Sequence, residues 1–333
     1  MRLLAVLLLL VTANASAQEF TPYQLELGNK LFHDPRLSAD GTISCATCHN
    51  PKTGFTDGLT RAIGIGGQAG NMATPTILGA FDDPLQFPNG RTIGIQLQSL
   101  QPLVNPVEMG NGSTQEVVNR INRIPGYRAL FVQAYGGLCN ERRLSHAIAA
   151  FESLCQSPDA PVDKRLAGYT RSLSEQAERG FQLFVAFDCA SCHAGADYSD
   201  AAFHNNGVTF FTEGLNADDQ GRIDVLPQGS PRTAETVRAW KTPTLRELWQ
   251  TGPYMHHGSF ATLEEVVEGY NRGWQKPVRA RNGAVYLGRD RFQDERIRPL
   301  GMTEQQKADL TVFLKEGFRS DKYPNIDPPR LPR

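Results

Sequence analysis

The feature that most constrains this chain is a five-residue pattern, C-x-x-C-H, that occurs twice, as Cys45-Ala-Thr-Cys48-His49 and as Cys189-Ala-Ser-Cys192-His193. The pattern is typical of covalent c-type haem attachment, in which two thiols add to the porphyrin and the histidine ligates the iron. Its two copies use four of the six cysteines and two of the seven histidines in the chain. Zinc is the main alternative for C-x-x-C, but zinc does not require a histidine directly after the second cysteine. The chain is therefore predicted to carry two covalently bound haem c groups, with His49 and His193 as axial iron ligands.

The N-terminus has the pattern of an export signal. An apolar run from Leu3 to Val11 follows Met1-Arg2, and Ala15-Ser16-Ala17 forms a cleavage site before Gln18. The run is too short to span a bilayer, and no second run follows it. Residues 1–17 are therefore predicted to be a cleaved signal peptide. We expect a periplasmic protein without a membrane span.

Helical periodicity dominates the rest of the chain. Apolar residues recur at helical spacing in residues 144–151 and 263–270, and Thr303 is predicted to cap a helix that starts at Glu304. The fold class is therefore predicted to be mainly α. The length suggests two domains, and we place their boundary in the Pro-containing stretch Ser157–Pro161, which gives domains of residues 18–160 and 161–333.

Charge and the remaining cysteines limit the function further. The formal net charge is −1, which argues against nucleic acid as a partner because phosphate binding needs a basic surface. Cys139 and Cys155 could form a disulfide in an oxidising compartment. Their separation along the chain does not decide this, since a bridge depends on the distance between the Cα atoms.

The two halves of the chain repeat one another around the haem motifs. Before each motif lies a related hexapeptide, and after each motif lies a Thr-Pro-Thr triplet: Leu27–Phe32 and Arg179–Phe184, Thr74–Thr76 and Thr242–Thr244. Fourteen residues beyond each triplet stands a glycine, Gly90 or Gly258. The halves are therefore interpreted as two versions of one haem-binding unit.

This register matters because each haem iron has a second axial face. A protein ligand there leaves the haem to electron transfer, whereas an open face admits peroxide or oxygen. The constant offset sets Tyr270 of the second half opposite Pro102 of the first. A phenolate can ligate ferric iron and proline cannot, so the repeat indicates an open first haem and a capped second haem. An ordinary aromatic residue on a helix face is the alternative interpretation of Tyr270.

Longer motifs occur in order along nearly the whole mature chain: Leu27–Cys45, Asn105–Gly110, Lys241–Arg246, Pro253–His256 and Gly258–Gly273. Together they resemble the bacterial di-haem cytochrome c peroxidases and the related MauG enzymes. The resemblance implies two cytochrome c-like helical domains, each holding one covalently bound c-type haem. The two domains are expected to face each other across a shared interface.

Within that family, the sixth ligand of the C-terminal haem is a methionine in ordinary peroxidases and a tyrosine in MauG-like members. The matching position here is Tyr270. Ordinary peroxidases also carry a histidine in the loop after the first haem motif, where this chain has Ile65 within residues 62–67. The resemblance thus implies a peroxide-reactive haem on His49 and an electron-transfer haem held by His193 and Tyr270.

The resemblance also assigns the acid–base group at the open haem. Peroxide cleavage needs a group that takes the proton from one oxygen and delivers it to the other. That role corresponds to Glu108, with Gln98 as a hydrogen-bonding partner in the same pocket. A solvated loop glutamate is the alternative for Glu108. Met109 and Met255 are interpreted as packing residues, because the ligand position is already assigned.

Two sets of supporting residues follow from the same resemblance. Three side chains near the second haem are expected to contact haem propionates: Arg246, His204 and His256. The family also binds a calcium ion between the domains through an asparagine and backbone carbonyls. The carbonyl positions correspond to Thr251 and Pro253, the asparagine position is Ala73, and Asn71 lies close enough to substitute.

One departure from the family concerns the path between the haems. The family usually has a tryptophan in a Phe-Trp-Asp-Gly-Arg segment, where it is thought to relay electrons. This chain has Phe87-Pro-Asn-Gly-Arg91, so the relay position is Pro88, which cannot be oxidised. Phe87, Trp240 or direct tunnelling are the alternatives for electron exchange.

These features predict a di-haem peroxidase, an oxidoreductase that uses hydrogen peroxide. In the MauG-like interpretation, which Tyr270 and Ile65 favour, it oxidises a partner protein by long-range electron transfer. In the alternative interpretation, a small cytochrome c or a cupredoxin donates the electrons, and the enzyme reduces peroxide to water. A non-catalytic di-haem electron carrier is a third hypothesis, and it would require two six-coordinate irons.

Overall fold

The structure is a computed structural model that describes residues 20–212, 220–280, 282–324 and 326–333. The predicted signal peptide, residues 1–17, lies outside these ranges. Most regular structure in the described residues is helical: α1 Pro22–Phe32, α2 Cys45–Cys48, α3 Ile95–Gln98, α4 Gln101–Val104, α5 Thr114–Asn122, α6 Pro125–Tyr135, α7 Glu141–Glu152, α8 Pro161–Leu166, α9 Glu175–Ala186, α10 Val208–Phe211, α11 Leu263–Asn271 and α12 Glu304–Glu316.

Short strands join the helices as antiparallel pairs: β1 Leu85–Gln86 with β2 Thr92–Ile93, β3 Phe203–His204 with β4 Trp240–Lys241, and β5 Lys276–Arg279 with β6 Val285–Gly288. Single 3-10 turns occur at Pro35–Leu37, Pro51–Thr53, Ile65–Gly67, Ala80–Asp82, Cys189–Ser191, Arg222–Val225 and Leu248–Gln250. Among the described helices, none combines the length and the apolar character needed to cross a membrane.

The helices predicted from periodicity are present. Residues 144–151 lie in α7, and residues 263–270 lie in α11. Thr303 caps α12, because its hydroxyl accepts a hydrogen bond from the backbone N–H of Gln306 at 3.2 Å. The prediction of a mainly α fold is confirmed.

Each half is built around one close helix crossing, α1 with α7 and α9 with α12. A β-carbon built at Gly28 of α1 would lie 2.0 Å from the carbonyl oxygen of Ala147. One built at Gly180 of α9 would lie 2.1 Å from the carbonyl oxygen of Asp309. Only glycine lets two helix backbones approach this closely. The glycine shared by the two repeated hexapeptides is therefore required by packing.

The apolar core is divided between the halves. One cluster of buried side chains draws on residues 27–148, and a second draws on residues 160–318. Met109 is 3% exposed within the first cluster, which agrees with its interpretation as a packing residue. A smaller third cluster includes Phe32 and Phe55, and Tyr323 and Ile326 from near the C-terminus pack against it.

The C-terminal segment returns to the N-terminal half. Lys30 Nζ donates to the carbonyl of Arg330 at 3.1 Å, and the Gly126 N–H donates to the carbonyl of Arg333 at 2.8 Å. The hydroxyl of Tyr323 donates to the carbonyl of Pro51. The last residues assigned to the second domain therefore pack on the first half, and the boundary at residue 160 stays a prediction.

Cys139 and Cys155 do not form a disulfide, since both are free thiols. Cys139 lies in the first core cluster and Cys155 in the small third cluster. Each thiol donates instead to a nearby carbonyl at 3.8 Å, that of Asn140 or Phe151. The disulfide alternative that the sequence left open is therefore not realised.

Candidate di-haem active site

The histidine of the first motif has a neutral ring whose Nε2 is free to bind a metal. His49 directly follows α2. Its Nδ1 donates to the carbonyl of Phe55 at 3.2 Å, and the backbone of Pro75 is a further acceptor. Burial lowers the pKa of His49, which favours the neutral imidazole. A neutral ring that donates through Nδ1 keeps the lone pair of Nε2 available for iron.

The second motif repeats this arrangement. The Nδ1 of His193 donates to the carbonyl of Tyr198 at 2.9 Å, with the backbone of Pro243 as a further acceptor, and burial lowers its pKa. The prolines of both Thr-Pro-Thr triplets therefore face the axial histidines. All four motif cysteines are free thiols. Haem c attachment needs two free thiols for the porphyrin and a neutral imidazole for the iron, so the residues present fit the group.

The zinc alternative has one geometric candidate in the described residues. A Cys192 sulfur, an Asp200 carboxylate oxygen and a His204 ring nitrogen lie within 4.8 Å of one another. Structural zinc sites usually have four ligands, and this group offers three. It also leaves out Cys189 and His193, the remaining members of the motif. The geometry favours haem over zinc.

Glu108 lies beside the first motif. Its charge acts on the thiols of both Cys45 and Cys48. The amide of Asn105 holds it, because Asn105 Oδ1 accepts from the N–H of Val107 at 2.9 Å while its Nδ2 donates to Glu108 Oε1 at 2.7 Å. Burial raises the pKa of Glu108, and the charge of Arg91 and the Asn105 hydrogen bond oppose that shift. A held, partly buried carboxyl group whose pKa lies above its ordinary value is suited to exchange a proton with a bound molecule.

The loop after the first motif packs against this glutamate. The N–H of Ile65 donates to the carbonyl of Glu108 at 2.9 Å. A β-carbon at Gly64 would lie 1.9 Å from the carbonyl oxygen of Val107, so the loop backbone is pressed against the glutamate segment. The side chain of Ile65 lies against Gly110, where a β-carbon would be 2.8 Å from its Cδ1. The loop thus supports Glu108, and Ile65 offers no ligand atom.

Gln98 ends the short helix α3, and Pro102 lies in α4. The side-chain amide of Gln98 makes no hydrogen bond within the described part of the chain, so it is available to a bound molecule. Its role beside Glu108 stays a prediction.

Tyr270 lies at the second motif. The charges of Cys189 and Cys192 act on its phenol, which places it near both thiols. Asn206 Nδ2 donates to the phenol oxygen at 3.5 Å, and it also approaches the sulfur of Met255 at 3.9 Å. Burial raises the pKa of Tyr270 to about 12. The structure therefore brings Tyr270 to the second motif as it brings Glu108 to the first.

Trp274 supports the ring of Tyr270. Trp274 is 0% exposed, and its ring meets that of Tyr270 edge to face, with centroids 5.3 Å apart. It packs on Gly269, where a β-carbon would lie 2.2 Å from the indole. Phe211 and Phe260 enclose the other sides of the indole. The neighbouring glycine thus admits a bulky ring that fixes the orientation of the phenol.

The three residues predicted to contact propionates differ in whether their polar atoms already have hydrogen-bond partners. Arg246 donates to the carbonyls of Ala196 and Ser157 and to the carboxylate of Asp163. His204 bonds to carboxylates through both ring nitrogens, to Asp200 at 2.9 Å and to Asp294 at 3.0 Å. A propionate would have to displace one of these partners. His256 differs, because its buried Nε2 has no hydrogen-bond partner.

The proposed calcium ligands lie where the halves meet. A β-carbon at Gly54 would be 2.6 Å from the Cγ2 of Thr251, and one at Gly258 would be 2.7 Å from the Cα of Thr60 and 3.2 Å from the ring of Pro253. These contacts place Thr251 and Pro253 against the N-terminal half. Calcium between the halves, with Asn71 as a ligand, stays a prediction.

Sequence reasoning missed Glu152, at the end of α7. It is 6% exposed, its Oε2 has no hydrogen-bond partner, and its charge acts on the thiol of Cys45. Burial raises the pKa of Glu152 to about 8. Its place in an apolar helical pattern gave no signal, because the contact with Cys45 forms only when α7 packs on the first motif. Asn206 was missed for the same reason, since it lies 64 residues from Tyr270 in the chain. Asn105 and Trp274 lie within four residues of Glu108 and Tyr270, so local spacing is the signal that could have found them.

Comparison with known proteins gives the family. The family model described as di-haem cytochrome c peroxidase matches residues 22–171. The methylamine utilization protein MauG of Methylorubrum extorquens is 36% identical over 303 residues, which cover 90% of this chain and 79% of the relative. The chain belongs to the di-haem cytochrome c peroxidase and MauG family.

Another relative carries a peroxidase name. The cytochrome c551 peroxidase of Nitrosomonas europaea is 36% identical over 249 residues, which cover 74% of this chain and 72% of the relative. A MauG-like protein associated with microbial copper homeostasis has the same fold, with a TM-score of 0.78, 29% identity and coverage of 92% of this chain and 91% of that one. The family resemblance and the enzyme class are confirmed: the chain is an oxidoreductase that acts on hydrogen peroxide, and the family implies haem c. The MauG and peroxidase relatives are each 36% identical to this chain over their aligned residues, so identity alone does not separate the two activities.

Proposed function

We propose that the chain is a periplasmic, MauG-like di-haem peroxidase that uses hydrogen peroxide to oxidise a partner protein by long-range electron transfer. The observation that carries the proposal is the asymmetry of the two sites. A held carboxyl group, Glu108, lies beside the first motif, and a phenol, Tyr270, lies beside the second. One site is equipped for proton transfer to a bound molecule and the other for iron ligation. The export pattern of residues 1–17 supports the periplasmic assignment.

The residues at the first site account for the proton movements of peroxide reduction. Haem bound at His49 supplies an iron that exchanges electrons with peroxide. The carboxylate of Glu108 would accept the proton from one peroxide oxygen and return it to the other, which would leave as water. Reduction to two waters takes up two electrons and two protons in all. Asn105 keeps the carboxylate in place, and partial burial raises its pKa above the ordinary value.

Tyr270 favours the MauG-like activity. A phenolate is a hard anionic ligand that stabilises oxidised iron, whereas a methionine thioether raises the reduction potential. A haem held by His193 and Tyr270 would therefore be a poor acceptor of electrons from a small cytochrome c. Such a haem would be better suited to hold oxidising equivalents until a protein partner reduces them. A calcium ion at Thr251, Pro253 and Asn71 between the halves belongs to the same proposal.

Cytochrome c peroxidase activity is the second candidate, because a cytochrome c551 peroxidase and a MauG protein are each 36% identical to this chain over their aligned residues. Steady-state peroxide turnover with reduced small cytochrome c or cupredoxin separates the two. We expect slow donor oxidation by the wild type and faster oxidation by Tyr270→Met. Rapid wild-type turnover that Tyr270→Met does not increase would contradict the MauG-like proposal and support the second candidate.

A further inference from the structure

We infer that the stacked rings of Trp240 and His256 form the electronic bridge between the two haem sites. The inference rests on the proposed function only in requiring both haems. It is carried by the position of one aromatic pair at the contact between the halves.

The pair is a close parallel stack. The ring centroids of Trp240 and His256 lie 4.0 Å apart, and the ring planes differ by 19°. Trp240 is 7% exposed, and its Nε1 donates to the hydroxyl of Thr209 at 3.4 Å. Burial and the charge of His257 hold the pKa of His256 well below its usual value, so the stacked imidazole is neutral. A neutral partner does not oppose oxidation of the indole as a cation would.

Backbone hydrogen bonds hold both residues against the N-terminal half. The N–H of Lys241, next to Trp240, donates to the carbonyl of Pro88 at 2.8 Å. The carbonyl of His256 itself accepts from the N–H of Ala73 at 3.1 Å. The stack is therefore fixed at the interface from two directions. The first of these hydrogen bonds ends on Pro88, the position where the family usually has an oxidisable tryptophan.

Short paths lead from the stack to both axial histidines. Trp240 lies three residues before Pro243, whose backbone accepts from the ring of His193. Ala73 lies two residues before Pro75, whose backbone accepts from the ring of His49. The two Thr-Pro-Thr triplets thus connect each axial ligand to the same pair of rings.

The other aromatic candidates are less suitable. The ring of Phe87 lies under the guanidinium of Arg91, 3.3 Å from its centroid, and a cation there makes the ring harder to oxidise. Trp249 is 40% exposed and stacks with Arg319 at 4.6 Å. Trp274 makes its ring contacts within the C-terminal half. Trp240 differs from them because its chain neighbour Lys241 and its stacking partner His256 are both hydrogen-bonded to the N-terminal half.

The transfer leaves the bridge unchanged. Trp240 gives one electron toward the oxidised site at His49 and regains one electron from the site at His193, so the net change is one electron moved between the irons. The indole keeps its proton during this exchange, because the hydroxyl of Thr209 is a weak base. No other oxidant or reductant is required.

Haem-to-haem transfer can be measured without peroxide. Pulse radiolysis of the ferric holoprotein adds one electron, and absorbance reports the rate at which that electron moves from the capped haem to the open haem. We expect Trp240→Phe to slow this rate by about 10-fold or more, which corresponds to about 1.4 kcal/mol of added barrier. Trp249→Phe is the matched control and should match the wild type. The electron paramagnetic resonance spectra of both ferric haems should be unchanged in both variants.

An unchanged rate in Trp240→Phe overturns the inference and leaves the proposed function intact. Failure of the reduced wild type to bind carbon monoxide contradicts the open haem, and hence the proposed function, but not the bridge. The inter-haem rate measured by pulse radiolysis does not depend on that result. The same comparison of Trp240→Phe with Trp249→Phe then decides the inference.

Discussion

At the scale of single residues, two carboxyl groups of the first half, Glu108 and Glu152, have a raised pKa. Glu108 accepts a hydrogen bond from Asn105, and the positive charge of Arg91 limits the rise of its pKa. Glu152 is buried, and its Oε2 has no hydrogen-bond partner. Burial raises the pKa of both groups. The two differ in surroundings, so we expect one to serve the reaction and the other to make stability depend on pH.

Replacing Glu108 tests its role as the acid–base group. We expect Glu108→Gln to slow the reaction of the ferric protein with peroxide by about 10²- to 10⁴-fold, the usual contribution of a general acid–base group. Stopped-flow absorbance measures the rate, and haem content should not change. Glu116→Gln on the exposed face of α5 is the control. A rate within a factor of two of the wild type, about 0.4 kcal/mol, would remove Glu108 from the mechanism.

The pH dependence of that reaction tests the electrostatics. Because the carboxylate is the base, the rate should fall as pH drops through the pKa of Glu108, and this limb should lie above the ordinary glutamate value of 4.5. The charge of Arg91 lowers that pKa. Arg91→Gln should therefore move the acidic limb to higher pH. A limb that stays in place or moves to lower pH would show that Arg91 does not act on the glutamate.

Glu152 should make stability fall as pH rises. Its pKa is about 8 in the folded protein against an ordinary value of 4.5, so the folded state holds the proton longer than the unfolded state does. Between these values each pH unit costs up to about 1.4 kcal/mol. Relative to wild type, Glu152→Gln should gain stability between pH 5 and pH 8, by up to about 4 kcal/mol. Denaturant unfolding at both pH values measures the gain, with the exposed Glu141→Gln on the same helix as control. A difference independent of pH would contradict the buried-carboxyl account.

At the scale of elements, the sequence repeat between the two halves corresponds to a repeated helix crossing. The glycine of each hexapeptide lies where α1 meets α7 or where α9 meets α12, and a β-carbon at either site would overlap a backbone carbonyl. Backbone atoms cannot move aside as a flexible side chain can. The two crossings therefore constrain the sequence in the same way, although their other residues differ.

Substitution at the crossings tests this packing. We expect Gly180→Ala to lower the free energy of unfolding by about 1–3 kcal/mol, the usual cost of overpacking. Gly70→Ala is the control, since a β-carbon there would be 3.5 Å from the nearest atom. Denaturant titrations of the holoproteins give both values. Equal stability of the two variants would mean that the crossing can widen without cost.

The elements also show where sequence reasoning succeeds. Local patterns predicted α7, α11 and the Thr303 cap, because periodicity and capping depend on neighbouring residues. The C-x-x-C-H spacing is a local pattern of the same kind, and its assignment of His49 and His193 as iron ligands stays a prediction. Contacts between distant segments gave no such signal. The stack of Trp240 on His256 and the return of the C-terminal segment depend on tertiary packing, which single-sequence patterns do not report.

At the scale of the whole molecule, the two halves are copies of one unit, and they differ in the side chain beside the motif cysteines. Both halves hold their histidine through an Nδ1–carbonyl bond and a Thr-Pro-Thr proline. They differ in what lies beside the thiols, Glu108 in one half and Tyr270 in the other. The account therefore depends on one claim, that the first haem is open and the second is capped by Tyr270.

Electron paramagnetic resonance of the ferric holoprotein tests that claim most directly. We predict one high-spin signal from the haem on His49 and one low-spin signal from the haem on His193. Tyr270→Phe should alter only the low-spin signal. Two low-spin signals, or a low-spin signal that Tyr270→Phe leaves unchanged, would contradict the account.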